Sequence, residues 1–198
     1  MLFDLGGVLV DWNPRHLYRQ IFAEERAMEE FLATICTQAW NEEQDCGRPF
    51  AEGVRLLVER HPHLSAEIRA YDARWHEMLK GPIEDSVALL GELRTRGVAL
   101  FALTNWSAEK FALGRDRFLF FEWFAGIVVS GEERVKKPDA RIFELAIRRF
   151  GLAPVATLFV DDSAVNVAAA AGLGLRTHHF TGAARLRTAL VENGLLPA

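Results

Sequence analysis

The sequence has 198 residues, which is enough for one α/β domain with an inserted module and a sizeable buried core. Half of the residues are hydrophobic and a quarter are charged, as in an ordinary soluble globular protein. The net charge of −4 and the scattered basic residues argue against the basic face that a nucleic-acid binder needs. We therefore expect no nucleic-acid partner.

The cysteines and the apolar runs indicate the compartment. Cys36 and Cys46 form no CxxC pair, so we expect reduced thiols and no structural zinc. The start of the chain lacks a basic segment, and the longest apolar runs, such as Val98–Leu103, have the length of strands. We expect a cytoplasmic protein without a membrane partner, and the sequence leaves monomer and homodimer open.

The chain begins with a short predicted strand, Leu2-Phe3, and then changes character. From about Pro14 to Gly81 the sequence has helix periodicity and no strand-like run. The predicted helices of this segment are His16–Phe22, Ala27–Ile35, Phe50–Arg60 and Ser65–Leu79. A helical block directly after a first strand indicates an insertion that covers the carboxyl edge of a sheet, where open α/β sheets bind ligands.

From Ile83 onward, helix-like and strand-like segments alternate. The predicted helices, each followed or ended by a glycine, are Ile83–Arg96, Pro138–Phe150 and Ser163–Ala171. The predicted strands are Val98–Leu103, Gly126–Val129, Thr157–Val160 and the weaker Leu175–Phe180. The alternation predicts an α/β fold, a three-layer Rossmann-like parallel sheet with helices on both faces. We predict a core of residues 1–13 and 82–198 and an α-helical cap of residues 14–81.

Polar side chains that suit phosphoryl transfer follow predicted strands or open a helix. They are Asp4, Thr104-Asn105, Lys137-Pro138 and Asp161-Asp162. Because the carboxyl ends of parallel strands meet at one edge of a sheet, we expect these groups to share one pocket. Carboxylates gathered in this way repel one another unless a hard cation such as Mg²⁺ neutralises them.

Each group has a role in such a reaction. The Thr104 hydroxyl and the Asn105 backbone N–H can hold phosphate oxygens, and the Lys137 ammonium can stabilise a phosphorylated aspartate. The Gly6-Gly7 pair lets the backbone turn sharply after Asp4. These residues predict a phosphatase that depends on Mg²⁺ and acts on a small phosphorylated metabolite.

Four ordered motifs carry a family resemblance. They are Phe3-Asp4-Leu5-Gly6-Gly7-Val8-Leu9, Leu103-Thr104-Asn105, Lys137-Pro138 and Phe159-Val160-Asp161-Asp162-Ser163. Together they resemble the motifs of the haloacid dehalogenase-like hydrolase superfamily, over essentially the whole chain, and the segment from Pro14 to Gly81 takes the place of that family's helical cap. The nearest subgroup resembles bacterial sugar-phosphate phosphatases.

The resemblance implies roles for individual residues. Asp4 is expected to be the nucleophile and a metal ligand, and Lys137 the motif lysine. Asp162 is expected to bind Mg²⁺ directly, and Asp161 directly or through water. Thr104 is expected to bind phosphate, and Asn166 to orient the loop after the last motif.

The sequence departs from the family pattern at Gly6. Most phosphatases of the superfamily have a second aspartate at this position, which protonates the leaving group and later activates water. The Gly6 carbonyl can still bind Mg²⁺, but the acid–base side chain is missing, and such a group is worth about 10²–10⁴ in rate. Slow turnover, a good leaving group or a substitute acid from the cap are the available explanations.

Other residues in the cap stay open between two interpretations. The cluster of Trp40-Asn41, Asp45 and Gly47-Arg48 is either a specificity loop, in which Arg48 clamps an anionic group, or a surface turn between helices. Trp75 and Trp106 are assigned to packing.

Three alternative functions are compatible with parts of the pattern. A metal-independent 2-haloacid dehalogenase shares the fold and the aspartate nucleophile, but tends to lack the carboxylate pair seen here as Asp161-Asp162. A non-catalytic phosphate-binding relative is conceivable because of Gly6. A signalling receiver domain also combines carboxylates, Thr and Lys, but its acidic pair comes first in the chain and it has no helical insertion.

Overall fold

The structure is a computed structural model that describes residues 1–197. The strands of this part are β1 (Leu2–Phe3), β2 (Val10–Trp12), β3 (Leu79–Pro82), β4 (Phe101–Thr104), β5 (Gly126–Val129), β6 (Leu158–Asp161) and β7 (Arg176–His179). The helices are α1 (Arg15–Tyr18), α2 (Glu25–Thr34), α3 (Gln38–Asp45), α4 (Phe50–Arg60), α5 (Ser65–Ala73), α6 (Glu84–Thr95), α7 (Ala108–Arg117), α8 (Ser130–Glu133), α9 (Ala140–Phe150), α10 (Ala164–Gly172) and α11 (Ala183–Glu192).

Five strands form a parallel sheet in the order β5-β4-β1-β6-β7. The first strand of the chain is therefore central, and the chain is wound outward from it in both directions. The carboxyl ends of β1, β4 and β6 are adjacent, because β1 pairs with both of the other strands. The residues that follow these strands meet at one edge of the sheet, as the sequence predicts.

Neighbouring residues of a strand face opposite sides of this sheet. Leu2 belongs to the apolar cluster that contains Ile142 of α9 and Ala170 of α10. Phe3 belongs to the cluster that contains Leu90 of α6. The sheet is thus buried between two layers of helices, which confirms the predicted three-layer α/β fold.

The chain leaves and re-enters this core through a two-stranded antiparallel ribbon, β2 and β3. Between these strands lie α1 to α5, which we call the helical insertion (residues 13–78). The prediction that the segment up to Gly81 contains no strand is wrong, because β3 begins at Leu79. Its short sequence has no apolar alternation, and its pairing with Trp12 and Val10 makes it a strand.

The segment Trp40–Arg48 is neither a loop nor a surface turn over most of its length. Residues 38–45 form α3, whose first turn is capped by Thr37, because the Thr37 hydroxyl accepts a hydrogen bond from the Trp40 backbone N–H at 3.0 Å. Asn41 and Asp45 are therefore one helical turn apart on the same face of a helix.

Two further expectations concern the thiols and the membrane. Cys36 and Cys46 are free thiols. None of the helices formed by residues 1–197 has the length and apolar character that crossing a bilayer requires.

Candidate active site

Asp4 lies directly after the central strand β1 and is almost fully buried, with 8% of its surface exposed. Its backbone N–H donates to the carbonyl of Val160 on β6 at 2.8 Å, which continues the ladder of the sheet up to the side chain. The carboxyl group faces a cleft of about 540 Å³. This cleft lies between the carboxyl edge of the sheet and the helical insertion.

Lys137 carries a fully buried ammonium that joins two of the carboxylates. Its Nζ lies 3.0 Å from Oδ1 of Asp4 and 2.6 Å from Oδ2 of Asp161. The backbone of Lys137 is held by the side chain of Asn105. The Lys137 N–H donates to Asn105 Oδ1 at 2.9 Å, and Asn105 Nδ2 donates to the Lys137 carbonyl at 3.0 Å. The Asn105 amide therefore positions the lysine, a role that the sequence did not predict.

Asp161, the last residue of β6, is fixed from three directions. Besides Lys137, its carboxylate accepts hydrogen bonds from the Ser163 N–H at 2.8 Å and from Asn166 Nδ2 at 3.1 and 3.2 Å. Asn166 lies on α10, so the predicted orienting role of this residue has a direct structural basis. These bonds hold the carboxylate rigidly at the edge of the site.

The position of the Asp162 carboxylate requires a glycine at position 7. A Cβ at Gly7 would overlap the Asp162 carboxylate, and the φ angle of Gly7 is +71°, a left-handed conformation that side chains disfavour. Gly6 differs, because among residues 1–197, apart from its chain neighbours, nothing lies within 4 Å of where its Cβ would be. The first glycine therefore leaves space beside the cleft, and the second makes room for a carboxylate.

Three carboxylates converge on a space that suits one cation. Asp4, Asp161 and Asp162 each offer an oxygen, and these three oxygens all lie within 4.8 Å of one another. One buried ammonium, that of Lys137, opposes three potential negative charges. An all-oxygen donor set with excess negative charge suits a hard divalent cation such as Mg²⁺.

The pKa values reflect the burial and the crowding of these carboxylates. Burial raises the pKa of Asp4 to about 7; the Lys137 ammonium opposes this rise, and Asp161 and Asp162 add to it. Burial, followed by the charge of Asp161, also raises the pKa of Asp162. Burial lowers the pKa of Lys137, but the Asp4 and Asp161 carboxylates outweigh it and hold the pKa above its ordinary value. Additional positive charge would favour the ionised forms of Asp4 and Asp162.

Thr104 ends β4, next to the central strand, and is buried. Within residues 1–197 its hydroxyl has no hydrogen-bond partner. A buried hydroxyl without a partner costs free energy, which an oxygen ligand at this position would recover. Thr104 is nevertheless not among the residues that line the cleft, so its role in binding phosphate stays a prediction.

The helical insertion supplies the other side of the cleft. Gln38, Asn41, Glu42 and Asp45 of α3 line it, and the Glu42 carboxylate pairs with Lys136 of the core at 2.8 Å. Arg48, predicted to clamp the substrate, is not among the lining residues. Its guanidinium donates instead to Gln44 Oε1 at 2.6 Å and to the Trp40 carbonyl at 3.1 Å, within the insertion.

Tryptophan side chains line the cleft as well. Trp75 and Trp106 are buried, as their assignment to packing requires, but both also border the cleft together with Trp12. In the described part of the chain, the buried indole N–H groups of Trp12 and Trp106 have no partner. This second role of Trp75 and Trp106 was not predictable, since tryptophans that pack and tryptophans that bind look the same in a sequence.

The fold and the residues at the carboxyl edge of its sheet are thus those of the class of hydrolases that the four motifs predict. Residues 1–174 match the family model of the haloacid dehalogenase-like hydrolases, and the chain belongs to this family.

Similar proteins are known among both sequences and structures. The sesquiterpene phosphatase astK of Aspergillus oryzae is 29% identical over 187 residues, which cover 91% of this chain and 88% of that protein. The HAD family enzyme BT-2542 of Bacteroides thetaiotaomicron, solved with magnesium and inorganic phosphate, is 25% identical with a TM-score of 0.65, over 89% of this chain and 91% of that one.

The fold is also that of a dehalogenase. The L-2-haloacid dehalogenase of Xanthobacter autotrophicus is 16% identical with a TM-score of 0.63, over 99% of this chain and 83% of that one. This likeness concerns the fold alone and does not identify the reaction.

Proposed function

We propose that the protein is a magnesium-dependent phosphatase that hydrolyses a small phosphomonoester through an aspartyl-phosphate on Asp4. The observation that carries this proposal is the cluster of three carboxylate oxygens within 4.8 Å, with the buried Lys137 ammonium beside them, on one side of the cleft. A dehalogenase that works without metal has no need for so many carboxylates around its nucleophile.

The metal would be held by oxygen atoms of this edge of the sheet. Asp4, Asp162 and the Gly6 carbonyl are the proposed ligands, and Asp161 binds directly or through water. When bound, Mg²⁺ lowers the electrostatic repulsion between an anionic phosphate and an anionic nucleophile.

The chain's own residues then perform the transfer. An oxygen of Asp4 attacks phosphorus, and the leaving group departs as the new bond forms. Lys137 Nζ, 3.0 Å from Asp4 Oδ1, keeps the carboxylate oriented and offsets the charge of the intermediate. The Thr104 hydroxyl and the Asn105 backbone N–H hold phosphate oxygens. Water finally cleaves the aspartyl-phosphate and returns Asp4.

The helical insertion acts as a cap over this reaction, and the cap domain that we propose, residues 14–81, also includes most of β3. Its movement on the β2–β3 ribbon would admit the substrate and then exclude bulk water. A cleft of about 540 Å³ with indole and amide walls suits the organic part of a small phosphorylated metabolite. Phosphatase activity in a relative that covers 91% of this chain supports the same reaction.

The test is hydrolysis of 4-nitrophenyl phosphate by the purified protein with Mg²⁺ and with excess EDTA. We expect turnover that EDTA abolishes and that added Mg²⁺ restores. Asp4→Asn should lose at least about 10³-fold in kcat, because an amide cannot form the acyl phosphate. The exposed Asp116→Asn is the matched control and should retain full activity.

Activity that persists in EDTA, or in the Asp4→Asn variant, would overturn the proposal. Release of halide from a 2-haloacid in EDTA would instead assign the protein to the dehalogenases. Binding of Mg²⁺ and phosphate by a wild-type protein that turns over no phosphate ester would identify a non-catalytic relative.

A further inference from the structure

The proposed reaction lacks a proton donor for the leaving group, because position 6 is a glycine with open space around it. We propose that Asp45, on α3 of the helical insertion, is the general acid and base of this protein. The inference rests on the proposed function and adds to it a catalytic residue that comes from the opposite side of the cleft.

Asp45 has the location that this role requires. It lines the same cleft as Asp4 and Gly6, but from the helical insertion rather than from the sheet. Only 8% of its surface is exposed, so it is shielded from bulk water. A leaving group in the cleft would therefore have the nucleophile on one side and Asp45 on the other.

Side chains of the insertion hold the Asp45 carboxyl in place. Asn41 Nδ2 donates to Asp45 Oδ2 at 3.0 Å, and the buried Tyr71 hydroxyl donates to Asn41 Oδ1 at 3.0 Å. This chain of neutral groups fixes the orientation of Asp45 without supplying a positive charge. Orientation by neutral donors is what a group that must exchange a proton needs.

The backbone of Asp45 is fastened to the core. The buried Ser130 hydroxyl donates to the Asp45 carbonyl at 2.6 Å and accepts from the Trp106 N–H at 3.0 Å. Because Trp106 follows Thr104-Asn105 in the chain, this contact links the position of Asp45 to the end of β4. Asp45 is thus in place only when the insertion is closed on the sheet.

Burial and the surrounding charges leave a substantial fraction of Asp45 protonated near neutral pH. Burial raises the pKa of Asp45 to about 7, and the Glu42 and Asp4 carboxylates add to the rise, whereas Lys136 and the Ser107 N–H oppose it. Both lysines of the cleft are already paired, Lys136 with Glu42 and Lys137 with Asp4 and Asp161. A general acid is most effective when its pKa lies near the working pH.

The proton balance is complete in both half-reactions. As the Asp4–phosphorus bond forms and the ester P–O bond breaks, protonated Asp45 gives its proton to the departing oxygen, and an alcohol leaves. Ionised Asp45 then takes a proton from water as the water oxygen bonds to phosphorus and the Asp4–phosphorus bond breaks. Inorganic phosphate, free Asp4 and protonated Asp45 result.

The experiment compares phenyl phosphate with 4-nitrophenyl phosphate, which have similar shapes but leaving groups of different basicity. Asp45→Asn keeps an acceptor for Asn41 and removes the proton donor. We expect kcat/KM for phenyl phosphate to fall about 10²–10⁴-fold. The fall for 4-nitrophenyl phosphate should be at least tenfold smaller, because its leaving group, 4-nitrophenolate, departs with little need for protonation. We use kcat/KM because it reports the first irreversible step, the transfer to Asp4.

A matched control variant and a pH profile distinguish a catalytic role of Asp45 from a structural one. Glu43→Gln, an exposed carboxylate on the same helix, should leave both substrates unaffected. Wild-type kcat/KM on phenyl phosphate should fall as the pH rises above about 7, when Asp45 loses its proton, and the variant should lack this fall. Circular dichroism and thermal unfolding verify that the variant is folded.

Each outcome is decisive. Equal losses on the two substrates mean that Asp45 has a structural role, and undiminished kcat/KM on phenyl phosphate means that it has none in the reaction. Either result overturns the inference while leaving the proposed function intact, provided that the wild type turns over and Asp4→Asn does not. A wild-type protein without phosphatase activity would instead overturn the proposed function.

Discussion

Lys137 keeps an ammonium group in a fully buried position, where the loss of hydration costs several kcal/mol. Contacts of 3.0 and 2.6 Å to Asp4 and Asp161 offset this cost. They do not balance the charge, because Asp162 adds a third carboxyl group to the cluster. Burial is the main cause of the raised pKa values of Asp4 and Asp162, the neighbouring carboxylates add to it, and binding of a divalent cation would relieve the repulsion.

Substitutions of the adjacent glycines Gly6 and Gly7 test this arrangement, because each adds a single methyl group. In Gly7→Ala the new methyl group meets the Asp162 carboxylate and the backbone is strained at φ +71°. We expect Mg²⁺ affinity to fall by at least about tenfold and stability to fall by about 1 kcal/mol or more. Isothermal titration with Mg²⁺ and urea unfolding measure both.

The neighbouring substitution is the control for that experiment. Gly6→Ala keeps the backbone carbonyl, and in the described chain its methyl group would meet no atom within 4 Å beyond its chain neighbours, so Mg²⁺ affinity should stay within about twofold of wild type. Equal effects of the two substitutions would show that the Asp162 carboxylate does not contribute to the metal site.

At the scale of elements, α3 explains why this side of the site was predicted as a specificity loop or a surface turn and not as a helix. Helices are recognised in a sequence by apolar residues at helical spacing. The buried face of α3 is polar, since it consists of Asn41, Gln44 and Asp45. The signal that was present is the spacing itself: polar residues at i, i+3 and i+4 behind the cap residue Thr37 indicate a helix whose buried side is functional.

The strands of the core show the opposite case, in which local pattern and tertiary structure agree. The predicted strand Gly126–Val129 matches β5 at both ends. The predicted strand Val98–Leu103 starts too early, because β4 begins at Phe101, where its partner β1 begins. Strand-end residues such as Asp4 were therefore predictable, whereas the Asn105–Lys137 contact, which joins residues 32 positions apart, was not.

Ser130 allows the link between α3 and the core to be measured. Ser130→Ala leaves the buried Asp45 carbonyl and the Trp106 N–H without this partner. We expect the free energy of unfolding to fall by about 1–3 kcal/mol. Activity should fall as well, since Asp45 loses its fixed position. Urea unfolding and phosphatase assays measure the two effects.

Ser86 provides the matched comparison. It is also fully buried, but in the described chain its hydroxyl has no hydrogen-bond partner. Ser86→Ala should therefore leave stability unchanged or raise it slightly. Similar losses in the two variants would mean that the Ser130 bonds contribute nothing beyond packing.

At the scale of the whole molecule, the core and the insertion are two bodies that meet around one cleft. Besides the β2–β3 ribbon, ion pairs join them, Lys136 with Glu42 at 2.8 Å and Lys110 with Asp72 at 2.5 Å. Partly exposed pairs of this kind contribute only about 0–1 kcal/mol each. Each of these ion pairs is therefore a weak link, whereas the buried Ser130–Asp45 hydrogen bond is a stronger one.

The central claim is that the residues at the sheet edge form one centre in which Asp4 becomes phosphorylated. Rapid acid quenching during turnover of 4-nitrophenyl phosphate, followed by proteolysis and mass spectrometry, tests this most directly. We predict a phosphate adduct on Asp4 that requires Mg²⁺ and is absent from Asp4→Asn. An adduct on a different residue, or turnover in which no quenched sample carries phosphate on Asp4, would contradict the account.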